Sequence, residues 1–307
     1  MNILVTGATG FVGSHLCRAL VNRGYRVYGT TKSGNTERIR DILGNENFKL
    51  IKIDLTNKEE MHKLPKNIDV IYHNASLLPR KAENFNDYLV NNVLSTHNLL
   101  EYATKISNIK LFIQSSTCSV YVDVNDKTIT EHTKENPVSY YGITKYFSDE
   151  LVRLYSNNHK FKSVILRYTI VYGKDETRSM VYRYYTIATR NEDILLNKEI
   201  SKKYRNVVHI DDVISANICA IEKIDNLPDF GVYLIGSKNS ERVIDIVNKI
   251  IKYSNSKSKI VLTDDGYYNT MDSIIDLSKA EKILGYKPMT IEEGIKKYIK
   301  EVRGGGR

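Results

Sequence analysis

The sequence predicts an α/β protein built on a doubly wound parallel sheet, with a smaller C-terminal substrate lobe. Three observations predict it. Short apolar runs alternate with amphipathic stretches through the first half of the 307 residues. A glycine turn, Gly7-Ala8-Thr9-Gly10-Phe11-Val12-Gly13, directly follows the first of those runs. After about residue 173 the rhythm breaks into shorter elements.

Each element follows from its pattern. Ile3-Leu4-Val5 is apolar on both faces, as a central parallel strand requires. Leu16, Ala19 and Leu20 then recur at helical spacing, and this helix closes at Gly24. Arg26-Val27-Tyr28 is the second strand, Phe48 to Ile53 the third and Asp69 to His73 the fourth. A helix through Leu89 to Ala103 leads into the fifth, Leu111 to Gln114, and Ser163 to Leu166 is the sixth. Strands separated by helices imply right-handed crossovers and a sheet covered on both faces. Asn206 to Ile210, a helix from Asp211 to Glu222, the strand Val232 to Ile235 and two terminal helices follow. The expected division is a dinucleotide-binding domain over 1–173 and a mainly substrate-binding lobe over 174–303, with room for the chain to cross back to the sheet. Residues 304–307 are set aside as a tail.

Composition narrows the function classes. Hydrophobic residues make up 41% and charged residues 26%, which excludes wholesale disorder. The net charge of +9 is spread over lysine-rich stretches such as 105–110 and 296–300, without a basic block or interleaved aromatics, so nucleic acid is not an expected partner. Cys17, Cys118 and Cys219 are too few and too scattered for a disulfide framework or a metal site. No apolar run approaches a membrane span, and a cytoplasmic protein is expected. His73 and His209, each at the end of an apolar run, fit core histidines, and Tyr298 among lysines fits a surface.

The glycine turn carries the first chemistry. A tight turn needs positive φ, a pyrophosphate needs close backbone approach, and a helix N-terminus offers free N–H groups. Gly7, Thr9, Gly10, Phe11, Val12 and Gly13 are therefore cofactor-binding candidates. The second strand normally ends in an acid that bonds the ribose hydroxyls. Here Thr31, Lys32 and Ser33 stand in its place and suit a 2′-phosphate, so NADP is favoured over NAD. Asp54 and Leu55, after the third strand, are placed to meet the adenine.

Tyr141 and Lys145 stand four residues apart on one helical face. A free phenol with pKa about 10 is a poor base at neutral pH, and a neighbouring cation favours the phenolate. Ser115-Ser116-Thr117 ends the fifth strand at its carboxyl end, where Thr117 is able to bond the tyrosine and the reacting oxygen together.

These motifs make the sequence resemble the extended branch of the short-chain dehydrogenase/reductase superfamily, the NAD(P)-dependent nucleotide-sugar epimerases and dehydratases. The resemblance runs through residues 6–14, His73-Asn74-Ala75-Ser76, Asn92 to Thr96, Ser115 to Tyr121 and Tyr140 to Lys145. It continues through Leu166-Arg167-Tyr168, Arg205 to Val213 and Asp276 to Tyr286. It implies a Rossmann-type sheet, Tyr141 as acid/base, Lys145 on the nicotinamide ribose and Thr117 as their hydroxyl partner. It further implies Ala75, Ser76, Asn92, Ser115 and Tyr168 around the cofactor, with Leu78, Arg80, Thr117, Arg178 and Arg205 toward substrate.

The reaction so implied is hydride transfer on a sugar hydroxyl or ketone of a nucleotide-diphosphate sugar, as a 4-epimerase or a 4-ketoreductase. Reduction of a non-nucleotide carbonyl, and a non-catalytic NADP-binding sensor or scaffold, are the alternatives. Departures bear on the substrate: Val122 where a glycine is usual, Ile170 where an asparagine is usual, and no arginine over 264–272. Cys118-Ser119 in place of an Asp-Glu pair argues against dehydration. In that branch two helices pair across a two-fold axis. Tyr88, Val93, Leu99 and Leu100 on one, and Tyr146, Phe147, Leu151 and Leu154 on the other, supply the apolar surface for a homodimer.

Overall fold

The computed structural model describes residues 1–79, 84–121, 128–159, 161–265 and 272–304. Seven strands form one parallel sheet: β1 (Asn2–Thr6), β2 (Arg26–Thr31), β3 (Phe48–Lys52), β4 (Val70–His73), β5 (Leu111–Thr117), β6 (Lys162–Tyr168) and β11 (Phe230–Ile235). Their order is β11-β6-β5-β4-β1-β2-β3. The chain winds outward from β1 through β2 to β3, then restarts at β4 on the other side of β1. Strand order therefore reverses between β1 and β4, and the carboxyl ends diverge there to leave a crevice. Registry across it sets Thr6 beside His73.

The central strands are apolar because both faces are covered. Ile3, Leu4, Val5, Ile71 and Tyr72 have no exposed surface. Helix α1 (Phe11–Val21) buries Leu16, Cys17, Leu20 and Val21. Helices α2 (Phe85–Tyr88) and α3 (Ser95–Ala103) are joined by a π-helical turn over Leu89–Leu94. Helix α4 (Tyr140–Asn158) starts where Ser139 accepts a hydrogen bond from the Gly142 N–H, and it carries the tyrosine and lysine. A core of Leu4, Ile71, Leu99, Leu100, Phe112, Val152 and Ile165 ties sheet and helices together.

Two compact units result. The first holds residues 1–120, 137–167 and 216–233; the second holds 121–136, 168–215 and 234–307. Against an expected division at residue 173, the chain thus passes between units five times, the last two within and after α7 (Ile210–Glu222). The second unit pairs β7 (Ile170–Tyr172) with β10 (Val207–His209), β8 (Ile194–Asn197) with β13 (Ile260–Thr263), and β9 (Tyr204–Arg205) with β12 (Glu241–Arg242). Around them lie α5 (Met180–Thr189), α6 (Lys198–Lys202), α8 (Val243–Tyr253), α9 (Ser278–Leu284) and α10 (Ile291–Gly304). Their shared core includes Tyr172, Val181, Ile194, Ile246, Ile295 and Tyr298.

Two readings of the sequence are corrected. Tyr298 is buried in that core, with edge-on rings of Tyr172 and Tyr185 beside it, and is no surface residue. Tyr88, Leu99 and Leu100 are buried in their own unit, so they offer nothing to a partner. Phe147 and Leu154, named for the same surface, are exposed at 40% and 53%, and Leu94 is exposed at 40%. Among the described residues no helix is long and apolar enough to cross a membrane.

Burial sets the stability expectation. Leu4→Ala empties a site in the centre of the sheet and is expected to cost about 2–5 kcal/mol in urea unfolding. Leu195→Ala, on a side chain 63% exposed, is expected to change it by less than about 0.5 kcal/mol.

Candidate active site

A cleft of about 660 Å³ opens at the carboxyl ends of β1 to β4. Gly7, Thr9, Gly10, Thr31, Lys32, Ser33, Asp54, Leu55, Ala75 and Ser76 line it, which gathers ten of the cofactor candidates in one place. Thr30, Ile53, Thr56, Asn74, Leu77, Asn91 and Ser95 line it as well, and were not named as site residues from the sequence, although Asn74 and Ser95 lie in motifs of the resemblance. Ile53 and Thr56 simply flank Asp54-Leu55; Asn91 and Ser95 owe their place to the π-helical turn, which no composition signal marks.

The residues fit a dinucleotide. Gly7 sits at φ +64°, and a Cβ on it would lie 2.9 Å from the Ala75 nitrogen. A Cβ on Gly13 would lie 2.2 Å from the Gly7 oxygen. The turn therefore packs backbone on backbone and leaves no side chain between the cleft and α1. The N-terminus of α1 has Gly10 as its cap, no side chain accepting from its free N–H groups, and no acid in its first turn. Such an end favours an anion. Asn74 Nδ2 is buried without a hydrogen-bond partner beside the same cleft, a donor left over for a ligand.

The end of β2 differs from the expectation of a free anion patch. Lys32 Nζ pairs with Asp54 Oδ2 at 3.0 Å. Burial works against the Asp54 charge, but bonds from Lys32 and Thr56 outweigh it and hold the carboxyl below its usual range. The Thr31 hydroxyl lies 3.0 Å from the Thr9 hydroxyl and accepts from the Gly34 N–H at 3.2 Å.

Behind the cleft the polar groups form a chain. Thr6 Oγ1 accepts from the N–H groups of Asn74 and Ala75, both at 3.1 Å, so its own proton goes to His73 Nδ1 at 2.7 Å. His73 Nε2 then carries the ring proton and donates to Thr96 Oγ1 at 3.0 Å, and Thr96 donates to the Asn92 carbonyl at 2.6 Å. Asn92 lies behind the cleft lining and is buried. Its Oδ1 accepts from Ser76 Oγ at 3.0 Å and Leu77 N at 2.7 Å, and its Nδ2 donates to Thr144 on α4 at 3.2 Å. His73 is thus a satisfied core histidine, as its position in the sequence suggested.

The candidate catalytic residues Thr117, Tyr141 and Lys145 come together at the end of β5. The Thr117 side chain acts on the Tyr141 phenol, favouring its ionised form. Thr117 Oγ1 accepts from Ser119 N at 3.1 Å and donates to Ser119 Oγ at 3.0 Å. Lys145 is 3% exposed and donates to the Ser115 carbonyl at 2.7 Å. The expected lowering of the phenol by its lysine does not appear in this arrangement. Burial raises the Tyr141 pKa, the Thr117 bond opposes that rise, and the ammonium is aimed at β5. Burial also brings Lys145 down to about 8, against the pull of Asp149.

Comparison with known proteins decides the family. The profile of the NAD-dependent epimerase/dehydratase family matches residues 3–236. The chain belongs to that family. It is 28% identical to an uncharacterized UDP-glucose epimerase of Bacillus subtilis over 96% of both chains. A crystal structure of UDP-glucuronic acid 4-epimerase from Bacillus cereus, with UDP-glucuronic acid and NAD, is 30% identical and aligns at TM-score 0.84 over 98% of this chain and all of that one. UDP-glucose 4-epimerase from Thermotoga maritima, with UDP-glucose, is 27% identical at TM-score 0.85 over 99% of each chain. The preference for NADP read from Thr31, Lys32 and Ser33 finds no support in this family's neighbours, where NAD is the bound cofactor.

The remaining epimerase/dehydratase positions divide between the two units. Phe11, Val12 and Gly13 open α1, and Ser115 holds Lys145 through its carbonyl. Leu78 is 45% exposed in the first unit. Tyr168, Arg178 and Arg205 belong to the second: Tyr168 is buried at the end of β6, Arg178 is exposed, and Arg205 donates to the Tyr204 carbonyl at 2.7 Å. Ile170 is a strand residue in register with Val207. Arg80, Val122 and the centre of the 264–272 stretch lie outside the described residues.

His73 makes the site sensitive to acid. Burial, then the Lys145 charge, depress its pKa to about 3, while the unfolded ring titrates near 6.5. The folded state therefore binds one proton fewer across that window, and stability falls as pH drops below the unfolded value. His73→Gln is expected to flatten the decline of the unfolding free energy from urea titrations between pH 6 and 4, by up to about 1.4 kcal/mol per pH unit. Equal slopes would exclude a buried neutral His73.

Proposed function

We propose that this chain is a 4-epimerase of a nucleotide-diphosphate sugar, with NAD as a resident cofactor. The observation that carries the reading is the Tyr141–Thr117 pair at the end of β5, on the same sheet edge as an uncapped glycine turn fitted to a pyrophosphate. The relatives that hold UDP-sugars and NAD support the substrate class and the choice of cofactor.

NAD, when bound, supplies a carrier that takes a hydride from the sugar and gives it back. Gly7, Gly10 and the first turn of α1 would hold its phosphates, and Asp54 to Thr56 its adenosine end. Tyr141 removes the proton of the sugar hydroxyl and later returns one to the carbonyl oxygen; the carbon would invert when the hydride comes back to the face of the keto carbon opposite the one it left. A buried phenol resists that ionisation, so its partners decide whether it works near neutral pH. Thr117 contributes by donating to the phenolate as readily as it accepts from the phenol. Lys145 contributes a cation with protons beyond the one it gives to Ser115, available to the ribose hydroxyls and the phenolate.

Purified protein is expected to release NAD, not NADP, on denaturation, and to convert a UDP-hexose or UDP-hexuronic acid into its C4 epimer. Tyr141→Phe is expected to keep the nucleotide and the fold while lowering turnover by on the order of 10² or more. Near-normal turnover in that variant would remove Tyr141 from the mechanism. Released NADP with steady NADPH consumption would make the protein a reductase.

The same reading places the enzyme in the cytoplasm and makes it a homodimer. Leu94, Phe147 and Leu154 are among the exposed apolar positions on the two helical segments that would meet a second copy. Light scattering is expected to give twice the 35.2 kDa chain mass. A concentration-independent value equal to one chain would sink the dimer.

A further inference from the structure

Beneath the tyrosine-bearing helix lies a charge cluster that the proposed reaction does not use. Asp149 follows Lys145 by one turn of α4 and is 1% exposed; Arg167 on β6 is 2% exposed. Arg167 Nε donates to Asp149 Oδ2 at 3.0 Å, and Ser116 Oγ on β5 donates to the same oxygen at 2.8 Å. The second oxygen, Oδ1, is buried with no hydrogen-bond partner. A buried carboxylate with half its acceptor capacity unused is costly, and a hydrophobic pair would pack as well. What a hydrophobic pair would not provide is a negative charge one turn from a buried ammonium. Lys145 and Asp149 are moreover bonded to consecutive residues of one strand, Ser115 and Ser116.

We propose that Asp149 is a positioning residue for Lys145: its carboxylate, pinned by Arg167 and Ser116, holds the lysine both in its aim and in its charged form. The inference rests on Lys145 being the group that holds the nucleotide and supports the phenolate. Burial lowers the Lys145 pKa to about 8 and the Asp149 charge resists that fall. The other titratable groups around it leave Asp149 in this role. His73 on β4 is held neutral by burial, and Tyr141 on the same helix is held as a phenol. Arg167 on β6 is a second cation, and without Asp149 its charge would act in the same direction as the loss of the carboxylate.

The test compares Asp149→Asn, the double variant Asp149→Asn/Arg167→Gln, the conservative Asp149→Glu, and Lys145→Met. The double variant removes the second cation together with the carboxylate, so its limb is expected to shift in the same direction but less than that of Asp149→Asn, and it reports even where the single change does not fold. Removing the carboxylate is expected to move the alkaline limb of kcat down by about one pH unit, a roughly tenfold loss near pH 8.5 with little near pH 6.5. Bound NAD, read by absorbance after gel filtration, is expected to be lost at the higher pH and kept at the lower. Asp149→Glu is expected to restore both. Folded variants that keep the wild-type limb and retain NAD at both pH values would overturn the proposal and leave Asp149 a structural residue. Lys145→Met separates the two levels of argument: full activity and full NAD retention there would defeat the reading of Lys145 itself, whatever Asp149 does.

Discussion

One hydroxyl sets the direction of the polar groups behind the cleft. Thr6 ends the central strand, where two backbone N–H groups from the β4 loop point at its oxygen. Having accepted both, it is left to donate, and the His73 ring is the partner within reach. Imidazole tautomer, Thr96 hydroxyl and Asn92 carbonyl then follow in a single polarity. An unpaired member of such a chain would cost about 1–3 kcal/mol, which helps hold the loop over 74–76 against the end of β1.

Burial explains the electrostatics next door. The groups at the end of β5 are drawn into a dry site, and burial pushes each of them toward neutrality. The phenol of Tyr141 rises and the ammonium of Lys145 falls. Neither shift helps proton transfer at neutral pH, which places the burden on neighbours that oppose them: Thr117 at the phenol and Asp149 at the ammonium. Spacing of four residues on a helix brings tyrosine and lysine to one face, but it does not by itself bring the charge to the oxygen.

How much of this was legible in the sequence follows from the range of each interaction. The strands of the sheet and the glycine turn were legible, because a strand apolar on both faces and a turn without Cβ atoms are local facts. Tyr141 and Lys145 were legible as a pair on one helical face for the same reason, and Thr117 as the residue at the carboxyl end of β5. The state of Lys32 was not: its partner Asp54 arrives from the neighbouring strand, 22 residues later, and turns an apparent phosphate-binding lysine into half of an ion pair. Tyr298 looked exposed because its neighbours in sequence are lysines, while the rings that cover it come from Tyr172 and Tyr185. The passage of the chain back into the first unit at 216–233 has no local signature either.

The π-helical turn over Leu89–Leu94 joins these strands of reasoning. It inserts one residue into the helical ladder, so that Ser95 N–H reaches back to Val90. Carbonyls at Asn91 and Asn92 then take hydroxyl donors: Ser95 on the first at 2.6 Å, Thr96 and Ser148 on the second at 2.6 and 3.0 Å. The displaced turn sets Asn91 against the cleft and Asn92 behind it, where its amide ties Leu77 to Thr144. A regular helix would carry the same residues at different angles and leave α4 without this bond to the cofactor loop. The irregularity is therefore what couples the nucleotide cleft to the helix that bears Tyr141, and the hydroxyls of Ser95, Thr96 and Ser148 are what stabilise it.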